Sequence, residues 1–261
     1  MSDDAMTTLA DLADTEAWRM LSVVNLARQW EHLPRTVGGR WERWDEVWAA
    51  DAGSPVAFPN SATLLRPLGE AEAEELVARL ARFYARQPGG PWMLWSAWPS
   101  PDLAPYGMKL AGYPPLMVRL PAPFSAQTDL RIVEARDELD LRDFDEAMIH
   151  GYPIPELAFP IDRITDERAL GGPMRYFVGY EDDRPVACAA AYVGERENGV
   201  YMVATLPEER GKGYGAALTA AAIAAAPHLP AVLQASDMGQ PVYRRLGFQD
   251  ISSYALWYKP R

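Results

Sequence analysis

A short glycine-rich segment in the C-terminal half carries the clearest chemical signal. Residues 210–215 read Arg-Gly-Lys-Gly-Tyr-Gly and lie between a strand-like apolar run and an alanine-rich helix. Glycine permits positive φ angles and close approach of a ligand, while the free N–H groups at a helix start favour an anion. Arg210 and Lys212 add positive charge. The segment therefore predicts a site for a pyrophosphate.

Two nucleotide-binding motifs compete for this segment. The P-loop pattern, which ends in Gly-Lys followed by Ser or Thr, does not occur in the sequence. The dinucleotide pattern G-x-G-x-x-A fits Gly211, Gly213 and Ala216, with Asp237 about 20 residues further on. However, residues 207–210 separate the strand from the first glycine, and short charged turns join the preceding strands as in hairpins. A dinucleotide-binding protein is therefore the weaker interpretation.

The same residues resemble the GNAT superfamily of acyl-CoA-dependent N-acyltransferases. The family's acyl-CoA loop reads Arg/Gln-x-x-Gly-x-Gly/Ala, which residues 210–215 satisfy, and its second block, Tyr-x-x-Leu-Gly-Phe, matches residues 243–248. The resemblance covers residues 128–261. It implies transfer of an acetyl group from acetyl-CoA to a primary amine, on a small molecule or a protein, by direct attack in a ternary complex and without a metal.

The resemblance also implies roles for individual residues. The strand holding Val203 and Thr205 would pair with the pantetheine arm, and a backbone N–H near Val203 would polarise the acetyl carbonyl. Tyr243 corresponds to the tyrosine that protonates the departing thiolate in many members, with packing beneath the pantetheine as the alternative. The implied cofactor-binding residues are Val203, Thr205, Arg210, Gly211, Lys212, Gly213, Tyr214, Gly215 and Ala216.

The general base is not identified by the sequence. An alkylammonium ion has no lone pair, so a base must remove its proton before attack. Glu195, Glu197 and His150 are candidates, although each is also readable as a solvated surface residue, and a water chain is the alternative. A second class of function also stays open, because a CoA-binding or CoA-sensing module would keep the loop without catalysis.

Proline-rich residues 113–129 separate two halves with different compositions, and we predict the boundary near residues 121–127. The predicted fold class is α+β (mixed α/β), with two GNAT-like domains at 1–122 and 128–261. Each would have a central, largely antiparallel sheet flanked by helices. In the second domain, three apolar runs joined by charged turns predict an antiparallel meander before the glycine-rich loop.

Short sequence matches suggest that the first half is a degenerate copy of the second. Residues 62–64 match 204–206, and residues 109–113 match 244–248, in the same order. Singly these matches are weak. Together they make a tandem duplication plausible.

The first half lacks the residues that the chemistry needs. Residues 68–73 correspond to the glycine-rich loop but carry carboxylates in place of its cations. Met108 occupies the position that corresponds to Tyr243. We therefore expect one cofactor site, with the first half as a scaffold or as one wall of the acceptor pocket. The candidate linings, with core packing as the default, are Trp92, Trp95 and Trp98.

Three further patterns predict local structure. Trp41, Trp44 and Trp48 are spaced as on one helix face and are interpreted as packing residues. A short helix is expected near residues 162–170. A single terminal strand is expected over residues 251–258.

Composition limits the partners and the compartment. The 36 acidic residues outnumber the 25 basic ones, giving a net charge of −11, which argues against nucleic-acid binding and favours a cationic substrate. Three separated histidines and the single Cys188 support neither a metal site nor an internal disulfide. The acidic N-terminus does not resemble a secretory signal, and no apolar run is long enough to cross a membrane. We expect a cytoplasmic protein, with a homodimer left open.

Overall fold

The computed structural model describes residue 12 and residues 14–85, 90–124, 126–152 and 154–260. The helices are α1 (Thr15–Val37), α2 (Glu70–Tyr84), α3 (Glu138–Gly151), α4 (Tyr214–Ala224) and α5 (Gln240–Arg245). The strands are β1 (Arg40–Arg43), β2 (Val47–Asp51), β3 (Asn60–Leu64), β4 (Trp92–Ser96), β5 (Lys109–Gly112), β6 (Pro115–Arg119), β7 (Arg131–Glu134), β8 (Met174–Glu181), β9 (Arg184–Val193), β10 (Asn198–Thr205), β11 (Ala231–Gln234), β12 (Gln249–Ser253) and β13 (Ala255–Lys259).

These strands form two mixed, mostly antiparallel sheets flanked by helices, which confirms the α+β class. The first sheet has the order β1-β2-β3-β4-β13-β5, and the second has the order β12-β6-β11-β10-β9-β8-β7. The predicted meander is present, because β8, β9 and β10 pair antiparallel through short turns. In the described part of this sheet one parallel crossover occurs, from β10 through α4 to β11, so the sheet lacks the series of parallel units that a dinucleotide-binding fold needs.

Each half of the chain contributes one strand to the sheet of the other half. β6 precedes the predicted boundary, yet it lies between β11 and β12 in the second sheet. β13 lies between β4 and β5 in the first sheet. The two crossing points touch, because the N–H of Tyr254 donates to the carbonyl of Pro114 at 2.9 Å. The boundary near residues 121–127 stays a prediction about the chain, and the sheets do not follow it.

With the exchanged strands taken as equivalents, the two sheets share one order, except that the second has the additional edge strand β7. A parallel pair, β3 with β4 or β10 with β11, follows two antiparallel pairs in the first sheet and three in the second. Two antiparallel strands then complete each sheet. The first sequence match agrees with this, since residues 62–64 end β3, and residues 204–206 are the last two residues of β10 and the one after it. The second does not: Lys109–Gly112 is a strand, whereas residues 244–247 end α5 and turn, so the equivalence of Met108 with Tyr243 is wrong.

Two local predictions are also wrong, and a third, the short helix near residues 162–170, is met only by a single 3₁₀ turn. Trp41, Trp44 and Trp48 lie on the β1–β2 hairpin instead of a helix, and the Trp44 N–H closes its turn on the Val47 carbonyl at 2.9 Å. The charged residues between the tryptophans are tolerated because β1 is largely exposed. Residues 162–170 form turns with a 3₁₀ segment at Glu167–Ala169. The terminal run is two strands in different sheets, divided by the fully buried Tyr254.

Helix α1 joins the two halves through polar side chains. Ser22 shares a 2.8 Å hydrogen bond with the hydroxyl of Tyr254. The hydroxyl of Tyr201 donates to Asn25 Oδ1 at 2.7 Å, and Asn25 Nδ2 donates to Glu197 Oε1 at 2.8 Å. Buried polar groups of this kind are costly unless they are paired, so these bonds fix how the first half sits on the second.

A buried carboxylate fixes the segment that follows α3. Asp145 is 0% exposed and pairs with the Arg163 guanidinium at 2.5 Å. It also accepts hydrogen bonds from the backbone N–H and the hydroxyl of Thr165, at 3.1 and 3.0 Å. One side chain therefore satisfies several donors of a loop that has little regular structure.

We expect Asp145→Ala to destabilise the protein by about 3 kcal/mol, because it leaves a cation and buried donors without a partner. Urea unfolding measures this loss. The matched control is Asp166→Ala, which removes a partly exposed carboxylate from its pair with Arg168 and should cost less than about 1 kcal/mol. Equal losses in the two variants would contradict a special role for the buried pair.

No helix in the described part of the chain is long and apolar enough to cross a membrane. Within the same residues, no group of three or more His, Cys, Asp or Glu side chains is arranged to hold a metal ion. The N-terminal stretch on which the cytoplasmic prediction rests lies mostly outside the described residues.

Candidate functional site

The glycine-rich loop leaves an open backbone surface at the start of α4. After β10 the chain makes a 3₁₀ turn at Pro207–Glu209, and Gly213 then serves as the N-cap of α4. Gly211 and Gly213 have φ angles of 86° and 87°, which L-residues rarely adopt, and a Cβ built on either would meet nothing within 4 Å. The glycines are thus required by the turn and also leave room above it.

The two cations of the loop contact protein groups. The Arg210 guanidinium donates to the carbonyls of Thr205 and Gly151, at 3.3 and 2.8 Å. Lys212 Nζ lies 3.0 Å from Glu181 Oε1 and 2.5 Å from Glu209 Oε2, and these two hydrogen bonds raise the pKa of the ammonium group. Anion binding at this loop would therefore depend on the N-terminus of α4 more than on the side-chain charges of Arg210 and Lys212.

Strand β10 bends away from β11 just before the loop. The parallel pairing of these strands is confined to Asn198 with Ala231 and Gly199 with Val232. The pairing of β10 with β9 shifts register between Tyr201 and Ala204, where Met202 has a φ angle of 51°. A bulge of this kind re-aims the backbone. It opens a gap between two strands that would otherwise stay bonded along their length.

A cleft of about 540 Å³ lies at this gap. Its second-half lining includes Met202 and Val203 of β10, Ser236 and Asp237 beyond β11, and Tyr243 of α5. The structure thus brings the predicted Val203 and Tyr243 to one cleft. The other predicted cofactor-binding residues do not line it. Thr205 is the last residue of β10, and the rest lie beyond that strand, in the glycine-rich loop and the first turn of α4: Arg210, Gly211, Lys212, Gly213, Tyr214, Gly215 and Ala216.

Tyr243 is held tightly at the cleft. It is 9% exposed, and its ring packs edge-on against Phe248 with centroids 5.9 Å apart. Burial, followed by the nearby Tyr152, raises the pKa of its phenol well above the ordinary value. No described residue forms a hydrogen bond with its hydroxyl. The phenol therefore stays protonated at neutral pH, with its donor free for a ligand.

None of the predicted bases lines the cleft. Glu197 is buried against Asn25, and Glu195 belongs to a separate groove beside α1. His150 is exposed and packs edge-on against Phe159. Among the described lining residues, the one carboxylate is instead Asp237. Its place after the end of β11, a strand paired in parallel, is the signal that could have identified it, because such strand ends commonly face ligands.

A second tyrosine of the cleft was not predicted from the sequence. Tyr152 follows the last turn of α3. Burial of its hydroxyl among protein atoms removes water from it and raises the pKa of the phenol to about 12. Tyrosines at helix ends are common, so the sequence alone offers no signal that this one reaches the cleft.

The first half supplies the opposite wall. Trp95 lines the cleft as predicted, together with Trp30, Phe58 and Tyr113. Trp92 and Trp98 do not: Trp92 stacks on Tyr84 in the core, and Trp98 lines another groove. Residues 93 and 95 face the cleft because they share one side of β4, whereas Trp92 points to the other.

The equivalent gap in the first half is closed. β3 and β4 stay paired over three consecutive positions, from Ser61 with Met93 to Thr63 with Trp95. A side chain of α2 itself caps the start of that helix: Glu72 accepts a hydrogen bond from the Gly69 N–H at 3.0 Å. Hydrogen bonds from Arg66 and from that N–H lower the pKa of Glu72 to about 2. A bound anion would have to displace this carboxylate.

Comparisons with known proteins agree with this geometry. Residues 172–250 match the family model described as an acetyltransferase (GNAT) domain. A GCN5-related N-acetyltransferase from Kribbella flavida superposes with a TM-score of 0.64 at 20% identity, covering 92% of this chain and 96% of its own. A functionally unknown conserved protein from Staphylococcus epidermidis gives 0.61 at 14% identity, over 86% and 95%.

A GCN5-related N-acetyltransferase-like protein from Streptococcus suis gives a TM-score of 0.56 at 13% identity, over 94% and 99% of the two chains. At these identities the superpositions show a shared fold, and no curated protein matches the chain. The family match runs from β8 to the first two residues of β12 and includes the bulge of β10, the glycine-rich loop and Tyr243. Residues 172–250 therefore resemble a GNAT acetyltransferase domain, and they include the glycine-rich loop and the second-half wall of the cleft from Val200 to Tyr243.

Proposed function

We propose that the protein transfers an acetyl group from acetyl-CoA to a primary amine. The observation that carries the proposal is the opening between β10 and β11, which leads from the glycine-rich start of α4 to a cleft containing Val203 and Tyr243. An extended pantetheine arm would fill this opening as an added strand, with its pyrophosphate at the start of α4.

The reaction is a direct displacement. The neutral amine nitrogen attacks the acetyl carbon, a C–N bond forms, and the C–S bond breaks with its electron pair passing to sulfur. A backbone N–H at the Met202–Val203 bulge would stabilise the negative charge that develops on the carbonyl oxygen. Tyr243 would give its proton to the departing thiolate, and Asp237 or water would take the proton lost by the amine.

We further propose that the chain arose by tandem duplication and that the second half alone binds acetyl-CoA. The shared strand order of the two sheets supports the duplication. The closed β3–β4 pair and the capped start of α2 argue against a second cofactor site.

Calorimetric titration of the whole protein with acetyl-CoA should give a stoichiometry near one. This value is expected because only the second half combines an open strand pair with an uncapped helix start. Two equivalent sites, or binding of NAD in preference to acetyl-CoA, would contradict the proposal.

A CoA-sensing module without catalysis is the second candidate, because the predicted base residues lie away from the cleft. Turnover distinguishes it from an enzyme. Release of free thiol from acetyl-CoA, followed across a library of amines, should show acceptor-dependent acceleration if the protein is an acyltransferase. Binding of acetyl-CoA without any such acceleration would favour the sensor.

A further inference from the structure

The wall that the first half adds to the cleft is aromatic and uncharged. Its largest side chains are Trp30, Phe58, Trp95 and Tyr113, and no Asp, Glu, Lys, Arg or His from the first half joins them in the described lining. The chain as a whole has 36 acidic and 25 basic residues, so its surface is otherwise rich in charge. The cleft is therefore a local exception to the composition of the protein.

The charge of the cleft limits the acceptor. Asp237 is the one charged residue in the whole described lining. A polyamine or an aminoglycoside carries several cations, and each would lose water here without gaining a carboxylate. An acceptor with a single ammonium group requires only one carboxylate, which Asp237 supplies.

The aromatic wall is also held in a fixed arrangement. The rings of Trp30 and Trp95 have centroids 6.3 Å apart and an interplanar angle of 31°. The indole N–H of Trp95 donates to Ser61 Oγ at 3.2 Å, and its ring meets Tyr254 edge-on. Preorganised aromatic side chains bind flat rings with little loss of side-chain entropy. This wall suits a planar group better than a flexible chain.

We propose that the acceptor is an arylalkylamine, meaning a primary amine joined by a short chain to an aromatic ring that bears no second charge. The ring would pack on Trp30 and Trp95, and the amine would reach the acetyl carbon near Val203. This inference rests on the proposed acetyl transfer and adds the class of its acceptor.

The test compares acceptors at fixed acetyl-CoA. Tryptamine and 2-phenylethylamine are assayed against putrescine and spermidine, with free thiol as the readout. We expect kcat/KM to be at least about 10-fold higher for the aromatic amines, the discrimination typical of a filled apolar pocket. In Trp95→Leu, the KM for tryptamine should rise about 10-fold while the KM for acetyl-CoA stays unchanged.

The matched control is Trp41→Leu, which removes an indole from the exposed β1 strand outside the cleft and should leave both KM values unchanged. A gain-of-function variant completes the test. Tyr113 is 65% exposed at the rim, so Tyr113→Glu should fold normally and should raise kcat/KM for putrescine relative to tryptamine, because it adds a second carboxylate.

The outcomes separate this proposal from the one on which it rests. Higher kcat/KM for the aliphatic amines would overturn the aromatic acceptor and leave acetyl transfer standing. A preference for octanoyl-CoA over acetyl-CoA that Trp95→Leu abolishes would also overturn it, because the wall would then hold the acyl chain. Acetyl-CoA binding with no thiol release from any amine would overturn both proposals.

Discussion

We expect Gly213→Asp to weaken acetyl-CoA binding strongly while the protein stays folded. Gly213 caps α4 with a φ angle of 87°, and the space beyond its missing Cβ is open. A side chain in the left-handed conformation costs about 1 kcal/mol, which a folded domain tolerates. The added carboxylate would occupy the place of the pyrophosphate and would interact favourably with the same helix N-terminus. We expect affinity to fall by at least about 100-fold, or about 2.7 kcal/mol.

Calorimetry measures this loss, and two variants control for backbone strain and for charge. Gly171→Asp places the same side chain at a φ angle of 73° in equally open space outside the loop, and it should leave affinity unchanged. Ala71→Asp adds a carboxylate to the exposed start of α2, where no cofactor is expected. Equal weakening by Gly213→Asp and Ala71→Asp would mean that both halves take part in binding.

We expect Tyr243→Phe to lower kcat by about 10²–10⁴-fold and to leave acetyl-CoA affinity nearly unchanged. The hydroxyl has no hydrogen-bond partner among the described residues, so its removal leaves no protein group unsatisfied. The ring remains packed against Phe248. Because burial keeps the phenol protonated across the neutral range, its loss removes the proton that the departing thiolate needs.

Single-turnover kinetics and calorimetry on the same variant separate these effects. Tyr152→Phe is the matched control, since it removes the phenol that lines the cleft at the end of α3. If Tyr152→Phe loses its activity while Tyr243→Phe keeps the wild-type kcat, then Tyr152 and not Tyr243 is the general acid. Reduced affinity with unchanged kcat in Tyr243→Phe would make Tyr243 a binding residue.

The features that the sequence predicts well are those encoded locally. Gly211 and Gly213 adopt positive φ because the turn into α4 needs it, and that requirement is visible within six residues. The β8–β10 meander follows equally from apolar runs and charged turns. The hairpin holding Trp41 was missed because its tryptophan spacing fits a helix face and a hairpin alike, and only the pairing with β2 decides between them.

The features that the sequence does not predict depend on distant partners. Lys212 is paired with Glu181, which belongs to a strand 31 positions earlier, so the charge of one of the loop's two cations is already compensated in the fold. The aromatic wall likewise needs the first half to lie across the bulge of β10. Strand exchange was invisible because β6 and β13 have similar apolar patterns, and such patterns specify a buried face without specifying a sheet.

The exchange of β6 and β13 sets an order for folding during synthesis. β4 and β5 pair with β13, whose first residue, Ala255, follows Gly112 by more than a hundred residues. At 5–20 residues per second, a ribosome takes roughly 7 to 30 s to make that interval. Throughout this time the first sheet exposes two unpaired edges, and long-range pairing of this kind is slow and prone to aggregation. We therefore expect the nascent chain to be most prone to aggregation in the interval before β13 is synthesised.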